Sequence, residues 1–245
     1  MRRGVQIVPP FFEIGPKCYL YGDQLLSLAR TAQDAALQYN VSVIFDPPHT
    51  ALQEIAAQCP DLFVFAQHMD SSSGDGRGMG SVTAESIVAA GAVGSFLNHA
   101  ERPVTLAALS QCIAEAKALH LKTIVCADSS AEASAVAHLG PDIVVAEPSE
   151  LIGGSETADD SYTARSINAV KSVDPSILVL QGAGIRSGED VYRVIRAGAD
   201  GTGSSSGIVK AQDPEAMVFE MVAAVRAAWN DAKHTGVSAS INPLS

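Results

Sequence analysis

The sequence is short of cysteine, of basic residues and of long apolar runs, and each shortage excludes a class of protein. The four cysteines form no CxxC pair, so we expect no disulfide framework. Lysine and arginine number 16 against 27 acidic residues, and the net charge of −11 disfavours nucleic acid or an anionic membrane as a partner. No HExxH motif, EF-hand or Cys/His cluster occurs, so no metal ion is expected.

No apolar run approaches the roughly 20 residues that are needed to span a bilayer. The N-terminal stretch MRRGVQIVPPFFEIGPK also lacks the apolar core of a signal peptide. We therefore expect a soluble cytoplasmic protein. The chain has 245 residues, of which 47% are hydrophobic and 18% charged, so a large buried core is expected.

What the sequence does contain is a regular alternation of short apolar runs with longer amphipathic segments. Runs that are apolar at nearly every residue are typical of strands in a parallel sheet that helices cover on its outer face. Helical periodicity predicts helices over 23–39, 105–120, 187–198 and 214–234. The predicted strands are 11–15, 41–46, 62–67, 94–99, 122–128, 142–147, 177–182 and, mainly from its position, 200–205.

Eight strands in strict alternation with helices predict an α/β fold, a single (β/α)₈ barrel domain over 1–245 with 235–245 as a C-terminal tail. A doubly wound open sheet is the alternative, although it usually has fewer strands at this length. Polar residues at the carboxyl ends of barrel strands are typical of an active site. Such positions are Lys17, Gln67, His68, Asn98, His99, Asp128 and Glu147.

Five stretches of the sequence together resemble one family. They are EIGPKCY (13–19), FLNHAERP (96–103), AEPSELIGG (146–154), QGAGIRSGEDV (181–191) and SSSGIVKAQDP (204–214). In order and spacing they resemble triosephosphate isomerases, above all the short archaeal-type branch, from about residue 11 to 230. The resemblance implies a cofactor-free isomerase of carbohydrate metabolism. Its substrate would be a small sugar phosphate that reacts through an enediolate, by default dihydroxyacetone phosphate and glyceraldehyde 3-phosphate.

The resemblance also implies catalytic roles for three residues. Glu147 would be the base, His99 a neutral imidazole that polarises the carbonyl, and Lys17 a positive charge beside the enediolate. Glutamate paired with neutral histidine is the established pattern of this family and is not deduced from the spacing. Residues 100–102 are expected to open a short helix whose dipole keeps the imidazole neutral, and Glu101 to pair with a lysine or arginine.

The resemblance further implies a mobile lid over PSELIGG (148–154), which would exclude water from the intermediate. The phosphate would be held by backbone amides after strands seven and eight and in the lid. The implied donors are Gly153, Gly184, Ser205 and Ser206.

One departure from the family pattern concerns the substrate. The family has Asn-x-Lys after strand 1, whereas here Gly15 stands in place of the asparagine that helps to stabilise the substrate oxygen. The lost side chain leaves room for a longer sugar, so an isomerase of tetrulose phosphates is the alternative function. Ala100, where many relatives have serine, is a milder departure.

Other classes remain as alternatives. A non-catalytic barrel that binds a phosphosugar would not need a base. An aldolase or lyase would need a Schiff-base lysine inside a strand, and Lys122 stands at the wrong end of one. Gly182-x-Gly184 is followed by Gly188, one residue too late for a dinucleotide fingerprint. The glycine-rich loop 71–80 could be a flexible surface loop, but the family resemblance implies that it docks into a neighbouring subunit of a homodimer or homotetramer.

Overall fold

Eight parallel strands form a closed barrel in which each strand pairs with the next along the chain and β8 returns to pair with β1. The computed structural model describes residues 6–71, 76–147, 160–182 and 184–234. The strands are β1 (Phe11–Ile14), β2 (Ser42–Phe45), β3 (Phe63–Ala66), β4 (Gly94–Leu97), β5 (Lys122–Ala127), β6 (Ile143–Ala146), β7 (Leu178–Gln181) and β8 (Gly201–Ser204). The predicted (β/α)₈ barrel is confirmed, and the doubly wound sheet is excluded.

Helices follow the strands in the described parts of the chain. They are α1 (Gly22–Tyr39), α2 (Leu52–Gln58), α3 (Ala84–Ala89), α4 (Leu106–Ala118), α5 (Ser130–Ala137), α6 (Asp160–Lys171), α7 (Gly188–Arg196), α8 (Ser206–Val209) and α9 (Pro214–His234), with a 3₁₀ turn at His49–Ala51 before α2. Thr83, Thr105, Ser129 and Ser187 each accept a backbone N–H at the start of a helix. Such caps typically stabilise a helix by about 1 kcal/mol.

The strand over 200–205 has low strand propensity and is explained by packing. A Cβ atom at Gly201 would lie 2.5 Å from the ring of Phe11 on the neighbouring strand, so only glycine leaves room for that ring. Gly201 pairs with Phe11 in the register that closes the barrel. Tertiary contact therefore overrides local propensity at β8.

Side chains that alternate along each strand divide the core into two layers. Phe12 and Ile14 point outward and pack under the helices, whereas Phe11 points inward with Ile44 and Phe65. Each fully buried side chain of this size stabilises the fold by about 1.5–3 kcal/mol. The same alternation turns Glu13 into the barrel, where the surrounding strand residues are apolar.

Three further predictions, on a short helix, on the domain organisation and on membrane-spanning helices, have different outcomes. The short helix expected at 100–102 is wrong, because these residues form a turn and α4 begins only at Leu106. The predicted tail 235–245 lies outside the described residues, and the single-domain organisation stays a prediction. No helix within the described ranges is long and apolar enough to cross a bilayer.

Candidate active site

The carboxyl ends of the strands surround a cavity of about 810 Å³. Six of the seven predicted site residues line it: Lys17, His99, Glu147, Gly184, Ser205 and Ser206. The seventh, Gly153, lies outside the described residues together with the rest of the predicted lid, 148–154. The fold therefore brings together residues that are up to 189 positions apart in the chain, counted from Lys17 to Ser206.

Glu147 follows the last residue of β6 and enters the cavity from there. Its backbone N–H donates to the carbonyl of Ala127 at 2.9 Å, which extends the pairing of β6 with β5. Burial above all, and the negative charge of Glu13 next, raise the pKa of the Glu147 carboxyl to about 7 against the opposing charge of Lys17. A carboxylate with this pKa takes up and releases a proton near neutral pH, as a general base must.

His99 is neutral and carries its proton on Nε2. The backbone N–H of Glu101 donates to Nδ1 at 3.1 Å, so Nδ1 must be an unprotonated acceptor. Burial lowers the pKa of His99, and the charge of Lys17 lowers it further. Burial and the charge of Lys17 therefore keep the imidazole neutral, and the Glu101 amide fixes its tautomer; the helix dipole predicted for 100–102 plays no part, which corrects that prediction.

The orientation of His99 depends on the residue before it. Asn98 adopts a left-handed backbone conformation with φ 58°, which its side chain stabilises by two hydrogen bonds to backbone groups. Its amide nitrogen donates to the carbonyl of Cys126 at 3.0 Å, and its oxygen accepts the N–H of Val104 at 3.2 Å. Asn98 thus ties the loop after β4 to β5 and fixes the direction of the imidazole.

Lys17 lies in the loop after β1, also with a left-handed backbone, φ 44°. The side-chain amide of Gln67 donates to the carbonyl of Lys17 at 3.2 Å and to that of Asp46 at 2.8 Å, so it joins the loops after β1, β2 and β3. The Lys17 ammonium donates to Glu101 at 2.8 Å, as predicted for Glu101. This places a cation at the cavity edge near His99.

The loops after β7 and β8 meet at the predicted phosphate site. Gly184 has φ 75°, a left-handed conformation that favours glycine. Ser204 Oγ donates to the carbonyl of Ile185 at 2.8 Å and so joins the two loops. The buried hydroxyl of Ser205 has no hydrogen-bond partner within the described ranges. An unsatisfied buried hydroxyl costs free energy unless a ligand meets it, and a phosphate oxygen would do so.

Two carboxyl groups of the cavity were missed by the sequence analysis, those of Glu13 and Asp46. Glu13 points inward from β1, and Asp46 follows the last residue of β2. The signal was available, since Phe11, Glu13 and Gly15 are alternate residues of one strand and must share a face. The structure brings these two carboxyl groups together on the cavity floor beside Gly15.

The described ranges hold no group of three or more His, Cys, Asp or Glu side chains placed to bind a metal ion. The fold and the site define the class: a (β/α)₈ barrel whose strand ends present a glutamate base, a neutral imidazole and a lysine. This arrangement suits proton transfer next to a carbonyl group.

Known proteins with a similar sequence identify the family. The family model described as triosephosphate isomerase matches residues 14–225. The triosephosphate isomerase of Methanoculleus marisnigri is 37% identical over 218 residues, which cover 87% of this chain and 97% of the relative. Those of Methanopyrus kandleri, at 38% over 225 residues (88% and 97%), and Sulfolobus acidocaldarius, at 34% over 218 residues (87% and 94%), are similar too. The chain belongs to the triosephosphate isomerase family.

Proposed function

We propose that this protein interconverts dihydroxyacetone phosphate and glyceraldehyde 3-phosphate without a cofactor. The observation that carries the proposal is the joint placement of a glutamate with pKa about 7 and a neutral, Nε2-protonated histidine in one cavity. Relatives that match over most of their length carry the name triosephosphate isomerase. These names favour a three-carbon substrate over the tetrulose phosphate that Gly15 suggested.

The reaction follows from the roles of the three residues. Glu147 removes a proton from C1 of dihydroxyacetone phosphate, and the electron pair of that bond moves towards the carbonyl to give the enediolate. The Nε2–H of His99 donates to the oxygen on C2, and the imidazole then exchanges protons between the two oxygens. Glu147 returns its proton to C2, which yields the aldehyde. Positioned proton transfer of this kind accelerates a step by about 10² to 10⁴.

Charge stabilisation is assigned to Lys17 and to the phosphate loops. The Lys17 ammonium faces the developing enediolate, where a preorganised charge lowers the barrier by several kcal/mol. We assign phosphate binding to the backbone amides of Gly184, Ser205 and Ser206, and by family resemblance Gly153. The unpartnered hydroxyl of Ser205 supports this assignment.

The first test is turnover of dihydroxyacetone phosphate by the purified protein, with glyceraldehyde 3-phosphate formation followed through a coupling enzyme. Saturable turnover that a folded Glu147→Gln variant lacks supports the proposal. Absence of turnover in a folded wild-type protein that still binds a phosphorylated three-carbon ligand would contradict it. That second result would favour the non-catalytic phosphosugar-binding barrel.

An aldolase or lyase with a Schiff-base lysine is disfavoured by position. Lys122 lies at the start of β5, where its ammonium contacts Asp142 at 2.6 Å. It does not line the active-site cavity. Lys17, which does, lies in a loop and is engaged by Glu101. Borohydride reduction in the presence of substrate would trap a Schiff base, and we expect no adduct.

We also propose a homodimer or homotetramer formed through the glycine-rich loop 71–80, of which residues 72–75 lie outside the described residues. Met79 stands fully exposed in this loop, and burial in a neighbouring subunit would remove its apolar side chain from water. A light-scattering mass near 25 kDa would contradict this proposal. A cytoplasmic location is proposed as well, and the four free cysteines are in keeping with a reducing compartment.

A further inference from the structure

Two carboxyl groups share the floor of the cavity in a space that two glycines provide. A Cβ atom at Gly15 would lie 2.6 Å from Glu13 Oε1 and 3.3 and 3.4 Å from the two oxygens of Asp46. A Cβ atom at Gly203, on the other side, would collide with Glu13 Oε2. Any larger residue at either position would displace the Glu13 carboxyl group. The local sequence of β1 and β8 is therefore fitted to this acid pair.

The pair is not explained by packing. Phe11 and Ile44, the inward residues one step deeper on the same two strands, are apolar and fully buried. An apolar pair would continue that layer without the desolvation cost that buried acids carry. Polarity begins only where the barrel interior opens into the cavity, and Glu13 is partly exposed there.

The pair also has unused hydrogen-bonding capacity. Asp46 is only 6% exposed, and its Oδ1 has no partner among the described residues. The Gln67 amide beside it donates to the backbone carbonyl of Asp46 and not to the carboxyl group. A buried polar atom that lines a ligand cavity and lacks a partner indicates a place for a ligand group.

Protonation of the pair follows from burial and from charges on four elements. Burial raises the pKa of both carboxyl groups, and the charge of Glu13 raises that of Asp46 well above its usual value. The positive charge of Lys17, after β1, opposes the rise of both pKa values. The other titratable groups beside the pair, Glu147 after β6 and Cys126 on β5, carry no positive charge. These shifts favour a proton shared between the two groups, which gives the pair one O–H donor beside its acceptor oxygens.

We propose that the Glu13–Asp46 pair recognises a hydroxyl group of the substrate that reaches the cavity floor beside Gly15. A hydroxyl both donates and accepts, so it satisfies the donor and the free acceptor of the pair together. An apolar group at the same place would leave both unsatisfied. The pair therefore selects hydroxylated over deoxygenated phosphates. This inference rests on the proposed function, since it concerns the same cavity.

The test compares two ligands that differ only in their hydroxyl groups, glycerol 3-phosphate and n-propyl phosphate. Their dissociation constants are measured by calorimetry at pH 7 for the wild type, Asp46→Leu and Asp46→Asn. We expect the wild type to prefer glycerol 3-phosphate by about tenfold or more, as one well-made hydrogen bond to an acid pair allows. Asp46→Leu should lose this preference with unchanged affinity for n-propyl phosphate. Asp46→Asn, which keeps a donor and an acceptor, should retain most of it.

A second variant guards against a folding failure of Asp46→Leu. In Gly15→Ala the new methyl group meets Glu13 Oε1 and narrows the approach to the pair, so the preference should fall again. Unchanged preference in both folded variants would overturn the inference. Turnover of dihydroxyacetone phosphate, measured in parallel, separates the two proposals. If the wild type prefers glycerol 3-phosphate but does not turn over dihydroxyacetone phosphate, only the isomerase proposal is overturned. If it turns over dihydroxyacetone phosphate and the variants keep the preference, only the role of the acid pair is overturned.

Discussion

The rim and the floor of the cavity differ in how each is built. The rim consists of Lys17, His99 and Glu147, which follow strand ends and are oriented by backbone hydrogen bonds from neighbouring loops. The floor consists of Glu13 and Asp46, which are placed by the inward register of β1 and β2 and by two glycines. The rim matches the family pattern, whereas the floor contains Gly15 at the position where that pattern has asparagine. The proposed chemistry and the proposed substrate recognition therefore rest on separate groups of residues in this barrel.

The Glu147→Gln variant tests the rim most directly, because it removes the proposed base. Glutamine has the same shape but cannot take the proton, so kcat should fall by about 10³-fold or more with a smaller change in KM. Steady-state kinetics give both values, and a thermal unfolding curve that matches the wild type shows that the fold is kept. A loss of less than tenfold would mean that another group is the base.

His99 tests the second half of the rim. Replacement by alanine removes the Nε2–H donor and should lower kcat by about 10² to 10³-fold, the usual effect of one lost donor to an oxyanion. Because burial and Lys17 keep the imidazole neutral and the Glu101 amide donates to Nδ1, the wild-type NMR spectrum should show an Nε2-protonated ring at pH 7. An imidazolium signal at that pH would contradict the account.

A third experiment tests the electrostatic coupling between Glu13 on the floor and Glu147 on the rim. The kcat/KM of the wild type should rise with pH through about 7, as Glu147 loses its proton. Glu13 raises the pKa of Glu147, so Glu13→Gln should move this midpoint to lower pH. An Asp128→Asn variant is a matched control, because Asp128 contributes to the same shift less than Glu13 does. If the midpoint of the pH profile moved equally in both variants, Glu13 would be no more strongly coupled to Glu147 than Asp128 is.

The floor should also affect stability in a pH-dependent way. The pKa of Glu13 and Asp46 is raised in the folded state above usual values of 4.5 and 3.8, so the folded protein binds more protons than the unfolded chain. The free energy of unfolding should therefore fall as pH rises above that range. Urea unfolding at pH 5 and pH 8 should show a smaller fall for Asp46→Asn than for the wild type. Both proteins carry Glu147→Gln in this comparison, because the raised pKa of Glu147 would otherwise contribute to the same fall.

The smallest effect is expected at the edge of the rim. The Lys17–Glu101 ion pair is 26% and 62% exposed on its two side chains, and exposed pairs contribute about 0 to 1 kcal/mol. Glu101→Gln should change the unfolding free energy by at most about 1 kcal/mol. It should leave His99 neutral, because the charge of Glu101 raises the pKa of His99 and its removal lowers that pKa further. A His99 that becomes charged in this variant would contradict this assignment.

The fold was predictable because each strand is a short apolar run and each amphipathic segment has helical periodicity. All eight strands form within two residues of the predicted bounds, for example Ser42–Phe45 within 41–46. The observed bounds of the strands differ from the predicted ones because a strand ends at its last residue that pairs with a neighbouring strand. That position depends on the neighbouring strand and not on composition. β8 could be placed only by counting strands, since its glycines make room for Phe11 and Glu13.

The rim was predictable by family resemblance, but two features of the site were not. The neutrality of His99 was implied, but its origin in burial and the charge of Lys17 was not, and no propensity distinguishes the turn that follows it from a short helix. The acid pair needs the register between β1 and β2, which sets Glu13 beside Ile44 and brings Asp46 one step beyond Phe45. Contacts between strands of this kind follow from closure of the barrel and not from the local sequence.

The central claim is that Glu147 moves a proton to and from carbon within this cavity. Its most direct measurement is NMR of dihydroxyacetone phosphate incubated with the protein in heavy water. The account predicts deuterium at C1 of dihydroxyacetone phosphate and at C2 of glyceraldehyde 3-phosphate, and no exchange above background with Glu147→Gln. A folded wild-type protein that binds glycerol 3-phosphate and yet leaves every carbon-bound proton in place would contradict it.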